Sequence, residues 1–349
     1  MENLKTLLHQ LQLADRHSQH QEKRVLIEDA KVVLSAFHIV EEYDTHTLDM
    51  IGTLFVIVGN WEKQHENLED AMKCFENAKI CFTACSNKEG LAKVKASIAD
   101  IHASRNNSHL AITLLMEAKQ EFEDLQMKKE TATSLGNIAV NYARLSDFTT
   151  AIKHWMYAIP LHEKINDVSG LARTYSNLGA MYTYLEKYEE AITSHLQAIN
   201  LYQSINNTQE LTKPFSRLAS VYYFTGNYEL ALEYYQMSLS IAQDLGLKTE
   251  HANSYINIGN VYIKLNEFEQ GIEFITKAIS ILESTDSLQS LGVAYGDLAD
   301  AYGSTEYSGY NSVHAEELYK KSIGVLESIQ DKKNSLIYHK KLAELYENT

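Results

Sequence analysis

The sequence predicts an all-α solenoid, a stack of helix-turn-helix repeats, and three observations carry that prediction. Stepping in forties from Ala191 meets Ala151, Ala111 and Ala71 behind it and Ala231 and Gly271 ahead. Tyr142, Tyr182, Tyr222 and Tyr262 keep the same interval, as do Phe148, Tyr188, Tyr228 and Phe268. Self-similarity at a fixed period of this size marks a chain in which each unit packs on its neighbours. The 349 residues include only two prolines, Pro160 and Pro214, which favours long helices joined by short turns.

The elements follow in order. Residues 1–46 carry two amphipathic stripes, Leu4, Leu7, Leu8 and Leu11, then Val25, Ile27, Ala30, Val33, Leu34 and Phe37. They predict a helical hairpin, either an end cap or a degenerate repeat. Residues 47–334 hold seven repeats. A small or apolar pair followed by tyrosine marks the first helix of repeats three to seven (Leu178, Gly179, Tyr182), with His102 in the tyrosine's place in the second, and small residues seven apart around a larger one mark the second helix (Ala191, His195, Ala198). In the seventh the interval from Gly271 to Ala315 lengthens to 44, which places four extra residues in the turn within 303–313. Residues 335–349, with Leu342, Ala343 and Tyr346, predict a lone capping helix. Polar links at 87–90, 166–170, 206–208 and 246–249 are turn signals. Small residues are expected where the two helices of a unit cross, and tyrosines and leucines between units. Pro214 fits the first turn of a helix. Pro160, late in one, is expected to kink or end it early.

Composition narrows function. Hydrophobic residues make up 45%, which fits a folded chain. A net charge of −15 opposes a nucleic-acid groove. The N-terminus lacks the continuous apolar core of a signal peptide, and the longest apolar run, 54–58, is too short for a bilayer. Cys74, Cys81 and Cys85 are odd in number and fit a reducing cytoplasm as small buried residues. No histidine pair accompanies them, and His9, His17 and His20 are expected in solvent. There is no phosphate-binding glycine loop, nucleophile elbow, zinc-binding or calcium-loop motif. The expectation is a chain with no catalytic residues, cofactor or metal.

Units reading N-L-G-x-x-Y and Y-x-x-A-I, best seen at 176–182 and 188–192, resemble the tetratricopeptide repeat over roughly 48–349. The forty-residue unit is longer than that repeat's norm of about 34 residues. It is similar to the subfamily of kinesin light chains, Pins-type scaffolds and Rap-type bacterial peptide-sensing regulators. The proline usual after the second helix is missing throughout. The resemblance implies a right-handed solenoid whose first helices line a concave groove.

In that groove the residue before each L-G or L-A pair gives Asn137, Asn177, Arg217, Asn257 and Asp297. One turn earlier stand Arg173, Lys213 and Asn253; three residues later stand Asn260 and Asp300. An amide donates and accepts together, so asparagines suit a peptide main chain. The other reading has these amides bonding the neighbouring repeat. Arg173, Lys213 and Arg217 point to an acidic group on the ligand, with an internally paired, solvated face as the plainer alternative. Asn177, Lys213 and Arg217 also resemble part of a carboxylate clamp, from which Gly136 and Val140 depart. The expected function is a non-enzymatic cytoplasmic scaffold binding an extended peptide or protein segment, without nucleic acid or membrane. The alternative is a Rap-like regulator acting on a response-regulator partner. Self-association through an open end stays open.

Overall fold

The computed structural model describes residues 2–16, 20–35 and 43–347. Over them the chain forms α1 (Glu2–Arg16), α2 (His20–Ser35), α3 (Thr45–Gln64), α4 (Leu68–Ala84), α5 (Lys88–Ser104), α6 (Ser108–Asp124), α7 (Lys128–Arg144) and α8 (Phe148–Lys164). There follow α9 (Val168–Tyr184), α10 (Tyr188–Ser204), α11 (Thr212–Phe224), α12 (Tyr228–Asp244), α13 (Lys248–Lys264), α14 (Phe268–Leu282), α15 (Leu288–Gly303), α16 (Ser312–Ser328) and α17 (Lys332–Glu347). A 3-10 turn, Gln209–Leu211, leads into α11. No strand occurs among the described residues. Two compact units, Met1–Thr174 and Tyr175–Thr349, divide the chain inside α9. Within each unit helices pack on their sequence neighbours, as in α3 on α4, α5 on α6 and α7 on α8, or α11 on α12, α13 on α14 and α15 on α16.

Helix length is set by one turn used again and again. A residue with positive φ recurs every twenty positions: Glu66, Ser86, Asn106, Gln126, Ser146, Asn166, Glu186, Asn206, Gly226, Gly246 and Asn266. At the third of these the Asn106 N–H donates to Ala103 C=O at 3.2 Å and the Asn107 N–H to His102 C=O at 2.9 Å. That pair of bonds is the left-handed closure that satisfies the last carbonyls of a helix. The Asn107 side chain then accepts from the Leu110 N–H at 3.4 Å and opens α6. Turns within and between repeats share this geometry, so no proline is needed to stop the second helix.

Each pair is joined by a small residue on the first helix facing a large one on the second. A Cβ at Gly59 would stand 2.8 Å from the Phe75 ring, one at Gly179 2.6 Å from His195, and one at Gly259 2.7 Å from Ile275. Gly259 and Gly271 also approach so closely that a Cβ on either would lie 2.8 Å from the other's carbonyl oxygen. Ala99, Ala139, Ala219 and Ala299 occupy the same position elsewhere and are wholly buried. Leu115, Trp155, Tyr235 and Tyr319 are their large, buried counterparts. The second-helix alanines 71, 111, 151, 191 and 231 are likewise sealed. Burial of these apolar surfaces supplies the drive to pair.

Other expectations meet the structure with mixed results. The extra residues of the seventh repeat do lie between helices, at 304–311, where Tyr307 stacks on Phe268 with centroids 5.2 Å apart. Pro214 sits in the first turn of α11. Pro160 does not end its helix, since α8 runs on to Lys164. Pro160 is exposed, as are Met156 and Tyr157, so water can take the one backbone bond it forfeits. The tyrosines also differ: Tyr142, Tyr222 and Tyr262 stack on His154, Tyr234 and Phe274 of their own repeat's second helix. Leu4, Leu7, Leu11, Ile27, Ala30 and Leu34 are buried in the N-terminal hairpin, with α2 joined to α3 by a Lys31–Glu62 ion pair at 2.8 Å. His9 is exposed, while His17, Phe37 and the side chain of His20 lie outside the described residues.

Two helix glycines test the packing rule. Gly259→Ala should cost about 1–3 kcal/mol through overpacking. Gly136→Ala, where an added Cβ meets nothing within 4 Å, should gain about 1 kcal/mol of helix propensity. Urea unfolding of both variants measures the difference.

Candidate functional site

First helices of successive repeats touch one another directly: α3 with α5, α11 with α13, α13 with α15 and α15 with α17. Among the described residues no second helices make a comparable contact, so within each unit the first helices form the tighter, inner side. The register singled out from the sequence lies there, and Asn137, Asn177, Arg217, Asn257 and Asp297 are all half-buried.

Much of this polar face proves to be struts between neighbouring repeats. Asn137 Nδ2 donates to Asp100 Oδ1 at 3.3 Å, and Lys63 Nζ reaches Asp100 Oδ2 at 3.0 Å. Arg144 Nη1 donates to Ala103 C=O at 2.7 Å. In the second unit Arg217 Nη1 donates to the Ser176 carbonyl at 3.1 Å and to its hydroxyl at 3.0 Å. Burial pulls the Arg217 pKa down, against the favourable fields of Tyr184 and Tyr202. Asn260 Nδ2 donates to Asp297 Oδ2 at 2.7 Å, and Tyr338 OH to Asp297 Oδ1 at 3.0 Å. Asp300 accepts from Tyr319 OH at 2.6 Å and pairs with Lys341. The two carboxylates expected to face a ligand therefore hold α17, and the Tyr338 ring fills the space a Cβ at Gly296 would take, 2.1 Å away.

The remaining candidates are differently placed. Asn177, Asn253 and Asn257 are half-buried and form no side-chain hydrogen bond among the described residues. Lys213 is exposed and unpaired, in the second unit; Arg173 is exposed, in the first. Beside Arg217 a cleft of about 600 Å³ opens, lined by Met181, Tyr184, Ser220 and Phe224. Tyr184 and Phe224 are 65% and 60% exposed, unusual for rings on an inner face. Lys63, Asp100, Asn141 and Arg144 were missed by the forty-residue ladders. Asp100 lies 37 positions from both Lys63 and Asn137, an interval that a search for complementary side chains would have caught, whereas Asn141 and Arg144 bond main-chain carbonyls.

The cysteines are free. Cys74 and Cys81 have their thiols pushed up to about 11 by burial, so neither is a poised nucleophile or ligand. No group of side chains able to hold a metal ion occurs among the described residues. No described helix is long and apolar enough to cross a membrane.

Asp297 and His195 set opposite pH responses. Burial pushes the Asp297 carboxyl up to about 6, with Asn260 opposing and the charge of Asp300 adding to the rise. An acid held above its unfolded pKa gains stability as pH falls from about 6 towards 4 and loses it as pH rises. Asp297→Asn should therefore overtake wild type by about 1–3 kcal/mol between pH 5 and 7.5 in denaturant titrations. His195 is fully buried with neither ring nitrogen partnered. Burial, then Arg217, holds its pKa down at about 3. Its neutral form is required, so stability is lost as pH falls below about 6.5 and the unfolded chain protonates. His195→Leu should add about 1 kcal/mol at pH 7, more at pH 5, by the same measurement.

Comparison with known proteins places this architecture. The family model described as tetratricopeptide repeat matches residues 130–204 and 211–284. No curated protein sequence matches the chain. Among solved structures, the apo form of RapI is similar at TM-score 0.66 and 18% identity, over 80% of this chain and 99% of that one. Aspartyl phosphate phosphatase F from Bacillus subtilis is similar at 0.65 and 15%, over 95% of each. The Rap conjugation gene regulator of plasmid pLS20, in complex with the Phr* peptide, gives 0.60 and 15%, over 96% and 98%. At such identities the likeness is one of fold. Residues 130–204 and 211–284 thus match the tetratricopeptide repeat, and the period and paired helices on either side of them continue the same architecture.

Proposed function

We propose that this chain is a non-enzymatic, cytoplasmic interaction protein that binds an extended peptide on the first helices of its second unit. The observation that carries this is the split among the amides. Asn137 and Asn260 are tied to carboxylates of neighbouring repeats. Asn177, Asn253 and Asn257 stay half-buried and unpaired. A half-buried amide without a protein partner is a group on which a main-chain N–H and C=O can both dock. Asn177 and Asn257 stand two repeats apart on that side, with Lys213 exposed between them in sequence to receive an acidic group. Arg217 positions α11 through Ser176 and offers its remaining face to the cleft of Tyr184 and Phe224. The solved pLS20 regulator carries a peptide on a similar fold, which supports the reading.

A second reading is a Rap-like regulator acting on a response regulator. It is favoured by likeness that runs over 95% of the chain to a protein named an aspartyl phosphate phosphatase. In that case the purified chain would speed loss of phosphate from a phosphorylated receiver domain.

The test is capture from a proteome by wild type and by an Asn253→Ala, Asn257→Ala, Lys213→Glu variant, both checked by circular dichroism. Each lost hydrogen bond is worth about 0.5–1.5 kcal/mol, so retention of a true partner should fall roughly tenfold or more. Equal capture would remove this face from consideration. Arg217 is left unaltered because its loss would unbind Ser176.

A further inference from the structure

Two helices, α2 and α17, each leave one apolar face uncovered. α2 packs on α1 and α3, and α17 packs on α15 and α16. The buried side of α2 is Ile27, Ala30 and Leu34. Its opposite side carries Val25, Glu28, Asp29 and Val32, at the three- and four-residue spacing of one helix face. All four are exposed, and Val32, at 70%, is the most exposed large apolar residue among those described. Glu28 is tied to Lys31 at 2.8 Å, whereas Asp29 has no ion pair among the described residues. The buried side of α17 is Ser335, Tyr338 and Leu345. Its opposite side carries Lys333, Leu336, Ile337, Lys340 and Ala343, all of them exposed. Neither Lys333 nor Lys340 has an ion pair among the described residues. One face is thus apolar with acids, the other apolar with lysines.

We propose that α2 of one copy of this chain docks antiparallel on α17 of a second copy. In one register Val32 meets Leu336 and Ile337, Asp29 meets Lys340, and Val25 meets Ala343. Three successive layers then match, apolar, ionic and apolar, each about one helical turn from the next. Lys333 falls opposite Ser35, which is exposed and neutral. Neither helix suits its own copy as well. Setting Val25 against Val32 in two α2 helices opposes Glu28 of each to Asp29 of the other. Setting Leu336 and Ile337 against themselves in two α17 helices opposes Lys333 to Lys340. Setting them against Ala343 opposes Lys340 to Lys340. Like charges facing across a contact disfavour such pairs, so the charge pattern selects the unlike pair. The contact is heterologous, with a different face used on each copy. It involves none of Asn177, Asn257 and Lys213, so it stands or falls apart from the face proposed above.

Sedimentation velocity of the whole chain over about 5–200 µM, the range that a contact of one helix on one helix calls for, compares wild type with Val32→Glu and Leu336→Glu. Both substitutions fall at exposed positions, and circular dichroism checks that each variant is folded. Wild type should gain average mass with concentration. Each variant alone should stay monomeric. An equimolar mixture should form a dimer of one copy of each and stop there, because Val32→Glu keeps its α17 face and Leu336→Glu its α2 face. Asp29→Lys and Lys340→Asp should each weaken association about tenfold, and the chain carrying both should recover it. The proposal is overturned if wild type stays monomeric throughout, which would leave both faces to helices of other proteins. It is also overturned if either variant alone associates as wild type does, which would set one helix against its own copy, or if the mixture fails to pair.

Discussion

The contact on which everything else rests is the small residue of one helix received against a large residue of the next. Gly59 against Phe75, Gly179 against His195 and Gly259 against Ile275 bring two backbones within reach that any Cβ would push apart. Because the seal is made pair by pair, no single core has to grow with the chain. The identity of the large member is free: phenylalanine, leucine, tryptophan, histidine, tyrosine and isoleucine all serve. That tolerance explains why a buried, unpartnered imidazole persists at 195, since shape rather than polarity is selected there.

Once the pairs are formed, the first helices are left side by side, and their polar residues divide between two duties. Some brace the stack, as Lys63–Asp100–Asn137 and Asn260–Asp297–Tyr338 do. Others remain open. The C-terminal helix shows how completely bracing can use up an acidic site. Asp297 and Asp300, free in any sequence alignment of the repeats, are covered by Tyr338 and Lys341 and belong to the end of the stack.

The fold was legible because its signals are local and periodic. The forty-residue interval, the small residues at crossings and the polar turn at each boundary all speak within one repeat. The duties of the polar residues were not legible. Asn137 and Asn177 occupy equivalent places, and what separates them is a carboxylate 37 residues before the first and none before the second. Such partners follow the stagger between helices rather than the period itself. Pro160 misled for a related reason: its cost depends on whether water reaches the orphaned carbonyl, and exposure is a tertiary property. The tyrosine ladder was placed between repeats, whereas ring stacking within the repeat gives Tyr142, Tyr222 and Tyr262 a nearer aromatic partner.

The left-handed residue every twenty positions has a consequence for how the chain acquires its form. From Glu66 to Asn266 each helix closes through bonds spanning five residues, and each pair seals within about forty. Contacts of such short sequence separation involve little loop closure, which is the condition for rapid folding. A nascent chain can therefore complete its early hairpins while later ones are still being synthesised. A folded pair then presents the next with a finished surface. Folding would spread along the stack as a front, and a break at one turn would halt that front without dissolving what lies behind it.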